Sequence, residues 1–438
     1  MAGALAVGAL ACAGAIGGCG AGSPPGDRIT AHELTIYASL PLQGTSADSG
    51  EAVLAGASLA LTQQGGRIGR LPVTLRPLDD ATATRGGWDP GQTSANARLA
   101  AADPSTVAYL GDLDSGASAV SIPVLERTGI PQVSPTSIAV GLTSAGPGAS
   151  PGEPQKYYPT GERTFVRIVP DDAVQAQAQV ALQRGAGCTS TYALDDNGVD
   201  GGAAAESFAQ IAPSAGLRLA AVGTFDPAAS DFSPAVAAVA ATGADCVLLS
   251  ASARPAAVAL TEQLAAALPH ARLFATASLA HDAYTDPRQG GLPVALDPRV
   301  VITSPALGLR AYPAAATRFL AGYQVRAQSL RFPSLTTGPR PGVRRPGSLQ
   351  VRSGSPPPDA ILGYEAMSLL LDKIDRASDK GRRAVRRTRV LAALFSTRDR
   401  PSVLGTYSLT SVGNTTARRF GAYRLARGRR YFWRVLDG

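Results

Sequence analysis

The segment Gly148-Ala149-Ser150-Pro151-Gly152 spells G-x-S-x-G, the spacing that places a serine nucleophile on a sharp strand-to-helix turn. That turn needs a strand before the serine and a helix after it. Here proline follows Ser150 inside a Gly/Pro-rich stretch, so a loop is expected and not a nucleophile. His32, His270 and His281 lie far apart in the chain and read as ordinary surface residues. Asp79-Asp80 ends an apolar stretch and would suit a cation, but no third ligand is in view, and a turn or hinge role is expected. No P-loop or G-x-G-x-x-G opens a helix. These residues predict no enzyme, no cofactor and no metal. What remains is binding chemistry. Ser115 stands just before an expected helix at 118–128, where a hydroxyl beside free backbone N–H groups suits an anion or caps the helix.

The elements that must position these residues alternate strand and helix. Strands are expected at 34–39, 71–78, 107–110 and 132–134, and helices at 51–64, 92–102 and 118–128. Residues 144–163 interrupt with loop chemistry. The rhythm restarts with helices at 172–184, 201–212, 232–241 and 254–267 and strands at 189–194, 218–225, 246–250 and 273–275. Repeated βαβ units predict an α/β fold of two doubly wound halves joined by a loop. In such sheets ligands bind beyond the C-terminal strand ends, so two facing halves put the site in the cleft between them. Residues 331–358, rich in Pro, Gly and Arg, read as an inserted loop. Helices follow at 360–376 and 383–395, and the end is β-like at 403–409, 419–425 and 430–436.

The 438 residues suffice for two or three domains, and 45% apolar content excludes a wholly disordered chain. The net charge of +8 hides an asymmetry: residues 376–438 hold 16 basic and 3 acidic side chains, while the rest of the chain is mildly acidic. A terminal basic segment is not a groove with interleaved aromatics, so no nucleic-acid partner is expected. Arg382, Arg383, Arg386, Arg387 and Arg389 would share one face of a helix, either solvated or drawn to an anionic membrane surface.

Residues 1–22 carry no charge, and the run from Ala2 to Gly18 fits the apolar region of a secretory signal. Ile16-Gly17-Gly18-Cys19 is similar to a bacterial lipobox, which would make Cys19 the lipidated first residue of the mature protein; a plain cleaved signal is the alternative. Residues 23–32 read as a flexible tether. After export, Cys188 and Cys246, each near the start of an expected parallel strand, would form a disulfide if those strands are neighbours, or remain two buried thiols.

Several short motifs then fall in order along the chain. Leu40-Pro41-Leu42-Gln43-Gly44 precedes Gly50 and Gly56-Ala57; Asp79-Asp80 follows the second strand; Gly111-Asp112-Leu113-Asp114-Ser115 follows the third. Gly129-Ile130-Pro131-Gln132-Val133-Ser134-Pro135 leads to Leu142-Thr143, Arg167-Ile168-Val169-Pro170-Asp171-Asp172 comes next, and Gly405-Thr406-Tyr407 with Gly413 closes the series. In this the chain resembles the type I periplasmic substrate-binding proteins, specifically the branched-chain amino-acid receptors of ABC importers. The resemblance implies two Rossmann-like lobes with three hinge crossovers, the Venus flytrap arrangement. Lobe 1 would comprise 33–170 and 303–405, and lobe 2 would comprise 171–302 and 406–438. It implies a small-molecule ligand, ABC permease and ATPase subunits as partners, and an extracytoplasmic, lipid-anchored location. It also implies that Ser115 holds a ligand carboxylate beside Asp114, and that Thr136, Ser137 and Ile138 supply the facing loop. Where the receptors carry aromatic or acidic side chains, this chain has Ser49, Val199, Ser252 and Ser278, which implies a roomier, more polar cleft. Asp196 or Asp200 would replace the lost carboxylate or sit in a solvated loop. A branched-chain amino acid is the default ligand, with a larger amino acid, an amide, a peptide-like or another polar solute as alternatives, and a sensing module feeding a signalling partner as the alternative function.

Overall fold

The computed structural model describes residues 26–251, 255–326 and 356–438. Cys19 with the expected signal 1–22, Ser252 and nearly all of the insertion 331–358 lie outside the described residues. The chain builds two α/β lobes. The first sheet is formed by β1 (Leu34–Leu40), β2 (Leu71–Asp79), β3 (Thr106–Leu110), β4 (Gln132–Ser134) and β5 (Phe165–Arg167), in the order β2-β1-β3-β4-β5, all parallel, with Arg67–Ile68 antiparallel at the β2 edge. Helices α1 (Ala47–Gln63), α2 (Pro90–Ala102) and α3 (Ser115–Glu126) link them.

The second lobe begins with α4 (Asp172–Gly185) and continues through β6 (Ser190–Asp195), α5 (Val199–Ile211), β7 (Arg218–Thr224), α6 (Ser233–Ala241), β8 (Cys246–Ser250), α7 (Pro255–Ala267), β9 (Arg272–Ala275) and β10 (Val300–Ser304). The chain then returns to the first lobe as α8 (Ala316–Arg326), α9 (Ala360–Ala377) and α10 (Arg387–Phe395) before crossing back as β11 (Arg419–Ala426) and β12 (Arg429–Asp437). The second sheet runs β7-β6-β8-β9-β10-β11-β12, parallel to β10 and antiparallel beyond it. Both sheets are covered on two faces, which is why their central strands are continuously buried and largely apolar and not alternating.

Two cores account for the lobes. Ile36, Leu110, Val133 and Val166 of the first sheet pack with α1, α8, α9 and α10, and Tyr407 and Leu409 still belong to that core. Leu194, Val247, Leu249 and Ile302 pack with α6, α7 and Tyr423 in the second. Helices α1 and α9 touch backbone to backbone, because a side chain at Gly56 would meet Ala360 O and one at Gly363 would meet Val53 O.

Three expectations need correction. Residues 23–32 are not a loose tether from Asp27 onward: the Asp27 carboxylate accepts from Arg386, from the Thr388 N–H and from the Thr388 hydroxyl, while the buried Ile29 donates its N–H to Val385 O. The helix expected from 383 starts at Arg387, after left-handed turns at Asp379, Lys380 and Gly381. The single arginine face therefore does not form; Arg387 is buried and donates to Thr106 O and Thr128 O. Strand β10 also carries the second sheet to Ser304, so Thr303 and Ser304 leave the expected first lobe. Of the two states left open for the cysteines, the structure has the disulfide: β6 and β8 are neighbours, and Cys188 and Cys246 are bonded with Cα atoms 5.9 Å apart.

Candidate functional site

A cavity lies between the lobes, beyond the C-terminal ends of β3, β4, β9 and β10, with about 570 Å³ of open space including its mouth. Its first-lobe wall comprises Ser49 near the start of α1, Leu113 and Asp114 after β3, Thr136 and Ile138 after β4, and Asp359 before α9. The second lobe supplies Asp172 and Gln175 of α4, Asp200 and Ala204 of α5, the Thr276–His281 loop after β9, and Ser304 with Pro305.

The loop after β4 is held from beneath. Arg167, fully buried, donates through Nη1 to Ala139 O at 2.8 Å and through Nη2 to the Thr143 hydroxyl at 2.6 Å. Thr136 donates its hydroxyl to Leu113 O at 2.6 Å, tying the β4 loop to the β3 loop. Ser134 Oγ accepts from the Ser137 N–H at 2.9 Å. A guanidinium that neutralises carbonyls under a binding loop fixes its backbone without entering the cavity.

The start of α3 is where an anion would sit, and it is occupied from the other lobe. Asp200 Oδ1 accepts the Ser115 N–H at 2.7 Å, and Oδ2 accepts the Gly116 N–H at 3.2 Å. Asp200 is also in the first turn of α5, so its carboxylate lies at two helix N-termini. Burial pushes its pKa up, against the hydrogen bonds from Ser115 and Gly116. The Ser115 hydroxyl accepts the Ile138 and Ala139 N–H groups, each at 3.1 Å, and the side chain is 1% exposed. It does not line the cavity.

On the opposite side, the Ser49 hydroxyl donates to Asp359 Oδ2 at 2.7 Å and lies 3.1 Å from His281 Nδ1. Asp48 Oδ1 is 3.9 Å from the same ring nitrogen. Burial lowers the His281 pKa, but Asp48 outweighs it and the net shift is upward. Burial acts on Asp48 in the other direction, and His281 with Arg430 brings its pKa down to about 2. Asp172, 1% exposed, accepts from Gln175 Nε2 at 2.8 Å through Oδ1, whereas its buried Oδ2 meets no hydrogen-bond donor. Burial, with Asp171 and Asp200 nearby, pushes its carboxyl well up.

The structure thus brings Ser49, Asp114, Thr136, Ile138 and Ser278 to one cavity. Ser115 and Ser137 stand behind it; the Ser137 hydroxyl is fully buried against Ser118. Val199 departs from its expected place in the wall: it is 43% exposed on the outer start of α5. Asp200 bridges the lobes, in place of the solvated-loop alternative. His281, expected at the surface, is buried at 8% exposure because the loop after β9 turns it against α1. Asp172, Gln175 and Asp359 have no spacing that marks them together. Among the described residues no group of His, Cys, Asp and Glu could hold a metal ion, and no helix is long and apolar enough to cross a membrane.

The model of one family, described as periplasmic binding protein, matches residues 33–337. Solved structures are similar over nearly the whole chain. A leucine-binding protein of Thermotoga maritima shares 18% identity over 92% of this chain and 99% of its own, with a TM-score of 0.71. A branched-chain amino-acid transporter substrate-binding protein of Streptococcus pneumoniae, in complex with isoleucine, shares 17% over 93% and 100%, at 0.67. A solute-binding protein of an ABC transporter of R. palustris, in complex with benzoate, shares 19% over 92% and 96%, at 0.64. No curated protein sequence matches.

Proposed function

The chain belongs to the periplasmic binding protein family, and from that premise we propose that it captures a small solute in its interlobe cleft and presents the closed form to the permease and ATPase subunits of an ABC importer. The observation that carries this reading is the cavity itself, built in comparable part by both lobes and spanned by the Asp200–Ser115 hydrogen bond. A site assembled only when two lobes meet reports occupancy through closure, since a ligand touching both walls shifts the population toward the closed state. Ser49, Asp114, Thr136, Ile138 and Ser278 are the proposed contacts, with Ser115 and Ser137 acting from behind them. Lipidation of Cys19 with removal of residues 1–18 would hold the protein at the outer face of the cell membrane, where such a receptor works. The reading includes no chemistry on the ligand.

The test is a series of thermal melts with amino acids, amides, small peptides, polyamines, sugars and aromatic acids. A ligand at 100 times its Kd adds about 2.7 kcal/mol, a shift of several degrees. A shift with at least one solute is expected. A well-folded sample that responds to none would overturn the receptor reading in favour of a sensing module engaged by a protein partner.

A further inference from the structure

Among the described residues four carboxyl side chains, Asp114, Asp172, Asp200 and Asp359, line the cleft, and no lysine or arginine does. Asp114, Asp200 and Asp359 each have a partner within the protein. Asp200 takes the Ser115 and Gly116 N–H groups, and Asp359 takes the Ser49 hydroxyl. Asp172 is different. It is 99% removed from solvent, and its Oδ2 has no donor in reach. Arg167 does not serve it: both Nη atoms donate to Ala139 O, Ser137 O and the Thr143 hydroxyl, and its buried Nε–H makes no hydrogen bond to Asp172 Oδ2. A buried carboxyl oxygen without a donor is costly. A ligand N–H placed in the cavity would supply that donor.

The start of α3 bears on the opposite charge. Its free N–H groups are the natural seat for a ligand anion, and Asp200 already sits there from the second lobe. An incoming carboxylate would have to expel Asp200 and then lie among the remaining acidic side chains, where like charges repel. A ligand ammonium meets neither obstacle. Burial favours the protonated form of Asp172, and a cation beside it reverses that preference, so the acid releases its proton and its carboxylate accepts the ligand N–H groups while the Asp200 bridge between the lobes stays intact. His281, the basic side chain among the described wall residues, is engaged by Ser49 and Asp48.

We propose, resting on the receptor reading above, that the solute carries a cationic nitrogen and no carboxylate, its ammonium or guanidinium end bonded to Asp172 Oδ2 while Asp200 keeps the α3 N-terminus. Asp172 and Asp200 are then the specificity-determining pair: one selects for the cation, the other against the acid.

The experiment uses matched compounds that share a skeleton and differ in charge: leucinamide, leucine and 4-methylpentanoate, then agmatine and arginine, with putrescine and benzoate added. Binding is read by melting shift and by calorimetric titration of the intact protein. At least one of leucinamide, agmatine and putrescine is expected to bind, and 4-methylpentanoate and benzoate are not. Asp172→Asn is expected to weaken amine binding at least tenfold with the ligand-free melt preserved. Asp200→Ala frees the α3 N-terminus and is expected to admit leucine or 4-methylpentanoate, and it carries the test if Asp172→Asn fails to fold. Binding of the acids to the unaltered protein without the amines overturns the proposal but leaves the receptor reading standing. Amine binding indifferent to Asp172→Asn also overturns it. A folded protein that binds no compound of either set overturns the proposal, while the receptor reading falls only if the wider panel of solutes also gives no shift.

Discussion

The hydroxyl of Ser49 lies 3.1 Å from His281 Nδ1 and 2.7 Å from Asp359 Oδ2, so a first-lobe helix is joined to a second-lobe loop across the cleft. A hydroxyl has one proton. If that proton goes to the Asp359 carboxylate, the ring nitrogen must be the donor to Ser49, and Nδ1–H also faces Asp48 at 3.9 Å. The His281 pKa is raised above 6.5, so its contribution is complete below that pH and fades as pH rises through the raised value. The Asp48 pKa is lowered from 3.8 to about 2, so its contribution is present above 3.8 and is lost as pH falls toward 2. The melting temperature is expected to drop as pH rises above 6.5. His281→Gln should flatten that limb, and Asp48→Asn should move it to lower pH. A limb unchanged in His281→Gln would assign it to another group.

Asp80 is a second titration in the opposite part of the first lobe. Neither of its carboxyl oxygens, fully buried at the end of β2, has a hydrogen-bond partner. Burial, then the charges of Asp112, Asp114 and Asp79, push its pKa well up, and burial brings Asp112 to about 7. Raised acids bind protons more tightly in the folded protein, so stability falls as pH rises from about 4 to 7. Asp80→Asn removes one of these charges and keeps a carbonyl oxygen that can accept from Ser39. It is expected to stabilise the protein by about 1–3 kcal/mol at pH 8 and to change little at pH 4.5. Urea unfolding at the two pH values measures both.

Much of the architecture was legible because βαβ units alternate two clear periods. The strand at 132–134 and the strand at 246–250 coincide with the expectation. What escaped was short or depended on distant partners. Phe165–Arg167 has three residues, too few to show a period, and exists because β4 lies beside it. Val300–Ser304 takes its place only between β9 and β11. The site was legible where one loop carries it, as with Asp114, Thr136 and Ile138. It was not legible in Asp172, His281 and Asp359, which come from three segments brought together by the crossovers, so no sequence spacing relates them. Asp200 could be singled out as a carboxylate near the cleft, but its pairing with Ser115 depends on how the lobes meet.

The Cys188–Cys246 bond closes a separation of 58 residues across β6, α5, β7 and α6. By chain entropy a loop of that length is worth about 4 kcal/mol. Reduction, or Cys188→Ala with Cys246→Ala, is expected to lower the urea midpoint of the second lobe while the first lobe keeps its own. Trp88 reports on the first lobe and Trp433 on the second, so fluorescence of single-tryptophan variants separates the two transitions. Equal shifts at both positions would mean that the lobes unfold as one unit.

The α1–α9 contact sets the last expectation, and it connects packing to the cleft. A methyl group at Gly56 would sit 1.8 Å from Ala360 O, and one at Gly363 would sit 2.0 Å from Val53 O. No rotamer relieves a clash with backbone, so either alanine must push the helices apart. Each single substitution is expected to cost about 3 kcal/mol or more. The double variant should cost less than the sum, because helices already separated by one methyl accommodate the second. Asp359 lies immediately before α9 and holds Ser49 of α1. Parting the helices therefore pulls on a hydrogen bond in the cleft wall. Gly363→Ala should weaken solute binding as well as stability, although Gly363 touches no part of the cavity. Full additivity in urea unfolding, or binding unchanged in Gly363→Ala, would show that the helices yield elsewhere and that the wall is not braced by this contact.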